Sequence, residues 1–226
     1  MEGGRVQIVV NGRSIDGYFA PAAIGRGPGV IVLQEWWGLV PHIESVCDLF
    51  AAEGFTALAP DLYHGRSAKS PDEAGKLMMA INIAETEADL RGAVRHLLAC
   101  AEVTSKKVGT VGFCMGGQLS LYAACSNSDV GACVDFYGVH PHVQLELAKL
   151  QAPVLGFFGA LDSGVPPAVA HELESKLRAA GKSVEVHIFD GARHAFFNDT
   201  RKEVYNAAAA QQSWKRMLAF YREHLT

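Results

Sequence analysis

The 226-residue chain lacks the features of several protein classes. Its apolar runs are far shorter than the roughly 20 residues that span a bilayer. No apolar stretch follows a basic one at the N-terminus, so we expect no signal peptide. It has no long basic run and a net charge of −4, so we expect no nucleic-acid partner and no membrane partner.

Cysteines are few, odd in number and never arranged as C-x-x-C. The five are Cys47, Cys100, Cys114, Cys125 and Cys133. This usage argues against a disulfide framework and a cysteine-rich metal site, and it favours a reducing compartment. We therefore expect a cytoplasmic protein. His140-Pro141-His142 has the H-x-H spacing of some metal sites, but no carboxylate or cysteine stands at a helpful distance, so we predict no metal.

Alternation of strand-like and helix-like segments predicts one α/β domain over residues 1–226. Apolar residues make up 49% of the chain, enough for a sizeable core. Asn11-Gly12 predicts an N-terminal hairpin with arms 6–10 and 15–19. The order of the remaining segments predicts a mainly parallel sheet with helices on both faces. We expect strands over 30–34, 55–59, 107–111, 131–137, 153–159 and 184–189, and helices over 41–52, from 71, over 84–100, from 118, over 166–180 and over 201–224.

A cysteine lies between two glycines where a strand gives way to a helix. The stretch is Gly112-Phe113-Cys114-Met115-Gly116. It has the form of the G-x-nucleophile-x-G elbow, in which small neighbours allow a strained turn to pack closely. The helix N-terminus would favour a thiolate. By itself the pattern also suits a buried structural cysteine in a βα turn.

An acid and a histidine follow later strands in the order expected for an α/β-hydrolase triad. Asp162 follows the strand at 153–159, and His194 follows the strand at 184–189. Because function gathers at the carboxyl ends of parallel strands, we predict that Cys114, His194 and Asp162 act together. Asp162 could instead be a turn or cap residue, and His194 a locally bonded loop residue. Asp190 is a rival acid, only four residues before the histidine.

Gln34-Glu35-Trp36-Trp37-Gly38 follows a buried strand where a hydrolase supplies its second oxyanion donor. We therefore assign the backbone N–H groups of Trp36 and Met115 to an oxyanion hole. A carboxylate directly after a buried strand is costly unless it is paired. Glu35 is thus either a functional group beside the thiol or one half of a salt bridge with Arg66 or Arg193.

Together these motifs resemble the dienelactone hydrolase (carboxymethylenebutenolidase) family. The residues that carry the resemblance are Gln34 to Gly38, Pro60-Asp61-Leu62-Tyr63, Gly112 to Gly117, Asp135-Phe136-Tyr137-Gly138 and the loops of Asp162 and His194. It covers most of the chain, from about Ile31 onward. The resemblance implies an α/β-hydrolase fold, a triad of Cys114, Asp162 and His194, and a Glu35 that contacts and tunes the thiol. It implies hydrolysis of a lactone or ester through an acyl-cysteine intermediate, without a cofactor.

The chain departs from the family where the substrate carboxylate is held. Lactone enzymes of the family use two arginines, but here no residue from Pro71 to Gly75 is basic, and Asn198 stands four residues after the histidine. Arg66, Lys76 or Arg193 could substitute, although a planar two-point clamp depends on position and angle. We therefore expect a substrate other than the standard dienelactone. The predicted substrate pocket comprises Trp37, Tyr63, Arg66, Tyr137 and Phe196.

Two other functions remain compatible with the sequence. A redox-active thiol protein could use the same Cys114, and it would need a resolving cysteine nearby. A non-catalytic binding protein could keep the fold, although such a protein would have less need for an intact triad. We expect a monomer or small homo-oligomer.

Overall fold

The computed structural model describes residues 3–225, and an eight-stranded sheet forms its centre. The strands are β1 Gly4–Val10, β2 Arg13–Ala20, β3 Gly29–Leu33, β4 Thr56–Pro60, β5 Val108–Phe113, β6 Val130–Phe136, β7 Val154–Gly159 and β8 Val184–Phe189. The helices are α1 Pro41–Ala52, α2 Pro71–Ala80, α3 Ile83–Ala99, α4 Met115–Ser126, α5 Pro167–Ala179 and α6 Ala207–His224, with a 3₁₀ turn at Leu147–Lys149.

The strand order across the sheet is β1-β2-β4-β3-β5-β6-β7-β8. The N-terminal hairpin pairs antiparallel with itself and with β4, and every pairing from β4 to β8 is parallel. β3, β4 and β5 are buried along their whole length, as strands covered on both faces should be. The carboxyl ends of β3, β5, β7 and β8 therefore open on the same edge of the sheet, and β8 is the outermost strand on one side.

Two apolar layers cover the sheet. On one face α1 and α6 pack through residues such as Ile43, Phe50, Met217 and Tyr221. On the other face α3 and α4 pack through residues such as Leu90, Leu97 and Leu119. The mainly parallel α/β arrangement predicted from the sequence is confirmed.

The last helix begins later than predicted. The sequence placed its start at residue 201, but α6 begins at Ala207. Asn206 has an extended backbone, and its side chain accepts a hydrogen bond from the N–H of Ala209, which caps the helix. The preceding segment instead forms turns, in which the carbonyl of Arg201 accepts from Val204 and Tyr205.

The elbow strand and helix also extend beyond the predicted bounds, because β5 continues to Phe113 and α4 starts at Met115. Met1 and Glu2, which belong to the stretch tested for a signal peptide, lie outside the described residues. None of the described helices is both long and apolar enough to cross a bilayer.

Candidate active site

Cys114 occupies a strained turn between β5 and α4. Its φ of 55° and ψ of −120° are rare for a residue with a side chain. The turn is held on both sides: the N–H of Cys114 donates to the carbonyl of Phe136, and its own carbonyl accepts from Gly117 and Val139. The side chain is only 7% exposed. The residue is thus fixed at the start of α4, where the helix dipole favours negative charge.

The flanking glycines are required by close backbone approach. A Cβ at Gly112 would overlap the carbonyl group of Gly116. A Cβ at Gly116 would lie 2.5 Å from the carbonyl oxygens of Leu33 and Gln34, at the end of β3. The elbow can therefore pack against both its own helix and the neighbouring strand only because these positions have no side chain.

His194 and Asp162 are paired across the ends of β7 and β8. The Nδ1 of His194 lies 2.7 Å from Oδ2 of Asp162, whose side chain is fully buried. The other carboxylate oxygen, Oδ1, accepts from the N–H groups of Gly164 and Val165 at 2.8 Å each. Asp162 is therefore both a turn residue and the partner of the imidazole. Asp190, the rival acid, makes no hydrogen bond with His194 in the described structure.

The surroundings of His194 favour its charged form. Burial by itself would lower its pKa, but hydrogen bonds and charge from Asp162 and from Cys114 outweigh burial and raise the pKa to about 10. At neutral pH the imidazole is then a cation between the Asp162 carboxylate and the sulfur. A cation next to a cysteine favours the thiolate, which is the nucleophilic form.

The two backbone N–H groups that the sequence assigns to an oxyanion hole have no hydrogen-bond partner among the described residues. Neither the N–H of Trp36 nor that of Met115 donates to another described residue. Tyr63 connects their two loops: its hydroxyl lies 3.2 Å from the carbonyl oxygen of Trp36 and 3.3 Å from Sδ of Met115. Burial and the nearby Cys114 raise the pKa of Tyr63, so the phenol keeps its proton and acts as a donor.

Glu35 is buried and bonded to an amide. Its Oε2 accepts from Nδ2 of Asn198 at 2.8 Å. The orientation of that amide is fixed, because Oδ1 of Asn198 accepts from both the N–H and the hydroxyl of Thr200. The alternative of a salt bridge with Arg66 or Arg193 is therefore wrong: the described carboxylate has a neutral partner. No hydrogen bond joins Glu35 to the Cys114 sulfur among the described residues, and Oε1 of Glu35 has no partner.

The predicted pocket residues differ in burial. Tyr137 and Phe196 are fully buried and pack in the core, with ring centroids 5.3 Å apart. Trp37 packs edge-on against Trp36 at 5.3 Å. Arg66 lines an open cleft of about 440 Å³, which it shares with other side chains including Lys76.

Three side chains near the site were not predicted from the sequence as contacts of their neighbours. The Arg201 guanidinium lies 6.0 Å from the centre of the Trp37 ring. Asn198 was noticed only as a departure from the family and not as the partner of Glu35. His42 is buried at the start of α1 against Phe113 and Phe197. No local sequence pattern indicates these contacts, because each joins residues that are distant in the sequence.

Other cysteines and histidines lie apart from this cluster. All five cysteines are free, and Cys125 and Cys133 are buried in the core. The ring nitrogens of His140 contact the carbonyl of Met78 and the N–H of His142. Among residues 3–225, no three or more His, Cys, Asp or Glu side chains are arranged to hold a metal ion.

Comparisons with known proteins show what the chain is similar to. A family model described as "Dienelactone hydrolase family" matches residues 15–225. "Protein usf" of Aquifex pyrophilus is 38% identical over 99% of this chain and 100% of its own. A protein of Aquifex aeolicus named "Putative carboxymethylenebutenolidase" is 34% identical over 99% of each chain. A crystal structure from Klebsiella pneumoniae, titled "Putative Dienelactone Hydrolase", superposes with a TM-score of 0.88 at 29% identity over 98% of each chain.

Proposed function

Because the chain belongs to the dienelactone hydrolase family, we propose that it hydrolyses a small ester or lactone through an acyl-cysteine intermediate. Membership in this family supports a hydrolase, and the geometry of the site supports covalent catalysis by Cys114. The observation that carries the proposal is a cysteine in a strained turn at a helix N-terminus, beside a His194–Asp162 pair at 2.7 Å.

Acylation begins with attack of the Cys114 thiolate on the substrate carbonyl carbon. The carbonyl π electrons move to oxygen, and the N–H groups of Trp36 and Met115 stabilise the resulting oxyanion. When the tetrahedral intermediate collapses, the carbon–oxygen bond to the leaving group breaks. The protonated His194 gives its Nε2 proton to the departing alkoxide, which leaves as an alcohol. Asp162 holds the ring in orientation throughout, through Nδ1.

Deacylation returns the site to its starting state. Neutral His194 takes a proton from a water molecule, whose oxygen attacks the thioester carbon in the same oxyanion hole. The carbon–sulfur bond breaks, the thiolate of Cys114 leaves, and the carboxylic acid is released. The thiolate and the imidazolium are then both restored, so no cofactor is consumed.

We propose that the substrate is not the standard dienelactone. Asn198 stands where lactone enzymes of the family have one carboxylate-binding arginine, and here its amide is bonded to Glu35. Arg66 is a candidate to receive an anionic substituent, because it lies in an open cleft and its neighbour Tyr63 contacts Met115.

The test is turnover of p-nitrophenyl acetate by cysteine variants. We expect Cys114→Ala to lose about 10³-fold or more in kcat/KM with an unchanged circular dichroism spectrum. Cys114→Ser should retain part of the activity, because the partners of the nucleophile remain. Cys100→Ala is the matched control and should behave as wild type, since Cys100 lies at the end of α3. Unchanged hydrolysis by Cys114→Ala would refute the proposal.

A panel of acyl esters, lactones and thioesters then defines the substrate class. The same variants separate hydrolysis from the redox alternative. If Cys114 instead served as a peroxide-sensing thiol, peroxide would consume one thiol readily in the wild type, while esters would be turned over no faster by the wild type than by Cys114→Ala.

A further inference from the structure

The loop that follows β4 is bonded to a buried carboxylate outside the catalytic cluster. Nε2 of His64 lies 2.8 Å from Oδ2 of Asp89 in α3, and the Asp89 side chain is 1% exposed. The guanidinium of Arg13, in β2, bonds the other carboxylate oxygen and lies 3.2 Å from Oε1 of Glu85. Two groups that are far apart in the sequence thus satisfy the two oxygens of Asp89.

Burial makes these partners necessary. It raises the pKa of Asp89, while the hydrogen bond from His64 and the charge of Arg13 act in the opposite direction. A buried carboxylate is unfavourable without donors, so the pairing keeps His64 in place. The φ of His64 is 52°, a backbone conformation that its surroundings must maintain.

The turn around His64 is fixed by a second carboxylate. Oδ1 of Asp61 accepts from the N–H of Tyr63 at 3.0 Å, and Oδ2 accepts from the N–H of Gly65 at 2.6 Å. One side chain therefore holds both neighbours of His64. As a result, the position of the His64 side chain on α3 constrains the position of Tyr63.

Tyr63 and its neighbour Leu62 contact the segments of both N–H groups assigned to the oxyanion hole. The N–H of Leu62 donates to Oε1 of Gln34 at 3.2 Å. The Tyr63 hydroxyl lies 3.2 Å from the carbonyl oxygen of Trp36 and 3.3 Å from Sδ of Met115. The two segments that carry the assigned donors therefore meet at this hydroxyl group.

We propose that His64 is a positioning residue for the oxyanion hole: its hydrogen bond to Asp89 fixes the place of Tyr63. The Tyr63 hydroxyl in turn holds the two segments whose N–H groups bind the oxyanion. The inference rests on the proposed function, which assigns the oxyanion to these two groups. Donors stabilise a developing charge only from the correct position, so a displaced loop slows acylation.

The test compares two substitutions of similar size at His64. His64→Gln keeps an N–H donor at about the reach of Nε2, whereas His64→Leu keeps the bulk and loses the donor. Both place a side chain at the same positive φ, so backbone strain is common to the two. With p-nitrophenyl acetate, first-turnover release of p-nitrophenol should be about 10-fold slower in His64→Leu and within about three-fold of wild type in His64→Gln.

Alkylation of Cys114 by iodoacetamide provides the contrast, because attack on a saturated carbon forms no oxyanion. Its rate constant should stay within about two-fold of wild type in both His64 variants, since the thiolate is untouched. His171→Leu is the matched control at a histidine of α5 that is 65% exposed and lies 4.0 Å from Glu174. It should leave acylation and alkylation unchanged.

Three results would overturn the proposal. The first is acylation in His64→Leu that is slowed by less than about three-fold. The second is an equal loss of acylation and alkylation, which indicates a disturbed thiolate or fold and not a displaced oxyanion hole. The third is a His64→Gln variant as slow as His64→Leu, because the hydrogen bond is then not the cause.

A double-mutant cycle assigns the effect to Asp89. Asp89→Ala removes the acceptor and should slow acylation as His64→Leu does, in protein whose circular dichroism spectrum is that of the wild type. The double variant should be no slower than the slower single variant, because two residues that act through one contact have non-additive effects. Losses that multiply would show that His64 acts without Asp89 and would contradict the proposal.

These outcomes are separable from the proposed function. Acylation of the wild type and its loss in Cys114→Ala test the nucleophile without any change at His64. If both hold and His64→Leu reacts as wild type, only the positioning role fails. Acylation that persists in Cys114→Ala would instead refute the nucleophile, and the oxyanion hole beside it.

Discussion

Buried carboxyl groups at the ends of strands have different environments. Asp162 is bonded to an imidazole and two backbone N–H groups, and Glu35 to one amide. Asp135, at the end of β6, is fully buried, and neither of its oxygens has a hydrogen bond that satisfies it. Burial raises its pKa to about 7, although the nearby N–H of Gly138 acts in the opposite direction. Burial without a satisfying partner thus favours the neutral form of Asp135.

Replacing Asp135 should reveal this effect on stability. The unfolded chain releases the Asp135 proton near its ordinary pKa of 3.8, whereas the native state holds it up to about pH 7. The free energy of unfolding therefore falls as pH rises between these values. We expect Asp135→Asn to stabilise the protein by up to about 4 kcal/mol at pH 8, and progressively less toward pH 4. Urea unfolding across this range measures the difference.

Asp129→Asn is the control, because Asp129 is exposed and should change stability by less than about 0.5 kcal/mol at any pH. An Asp135→Asn variant that is equally destabilised at pH 5 and pH 8 would contradict the linkage.

The sequence predicted candidate site residues where they follow strands, but it did not predict which residues they contact. Cys114, Asp162 and His194 each follow an apolar strand, so local pattern is enough to predict their positions. The partner of Glu35 lies 163 residues away, and contacts at that separation depend on the strand order. His42 follows a proline at a helix start, a position that carries no local sign of its contacts with Phe113 and Phe197.

At the scale of elements, the elbow is the most predictable part of the fold. Its conformation is a local consequence of glycines on either side of the nucleophile, so the sequence alone revealed it. The predicted start of α6 was wrong because local pattern does not decide it. Residues 201–206 have ordinary helix propensities, and the helix boundary is set by the Asn206 cap together with the turn at Arg201.

A pair of glycine substitutions tests the elbow. Gly112→Ala should destabilise the protein by about 3 kcal/mol or more, because the added Cβ overlaps the backbone of Gly116. Gly75→Ala is the matched change within α2, where the new Cβ meets nothing within 4 Å. It should stabilise the protein by about 0.5–1 kcal/mol through helix propensity. Urea unfolding compares them, and equal effects of the two substitutions would contradict this description of the turn.

At the scale of the whole molecule, sheet topology assembles the site. The crossovers place β3 between β4 and β5, so the Glu35 loop and the Cys114 elbow become neighbours although they are far apart in the sequence. Pattern reasoning predicted a parallel sheet but not this order of strands. Helix α6 is joined to the central strand β5 by a hydrogen bond: the Tyr221 hydroxyl donates to the carbonyl of Thr110 at 2.7 Å.

Because of that hydrogen bond, removing the Tyr221 hydroxyl group should lower the stability of the protein. Tyr221→Phe leaves the buried carbonyl of Thr110 without this donor and should lower the free energy of unfolding by about 1–3 kcal/mol. Tyr205→Phe is the control at a tyrosine that is 39% exposed, and it should change stability by less than about 0.5 kcal/mol. Thermal and urea unfolding measure both; a Tyr221→Phe protein as stable as wild type would show that α6 is held by packing alone.

The most direct test of covalent catalysis is to trap the acyl-enzyme. The protein is mixed with p-nitrophenyl acetate, quenched in acid within the first turnovers, digested and examined by mass spectrometry. We predict one acetyl group on the peptide that contains Cys114, absent from Cys114→Ala and accumulating in His194→Ala, where deacylation lacks its base. Sustained ester turnover with no acetyl group on Cys114 in either protein would contradict the account.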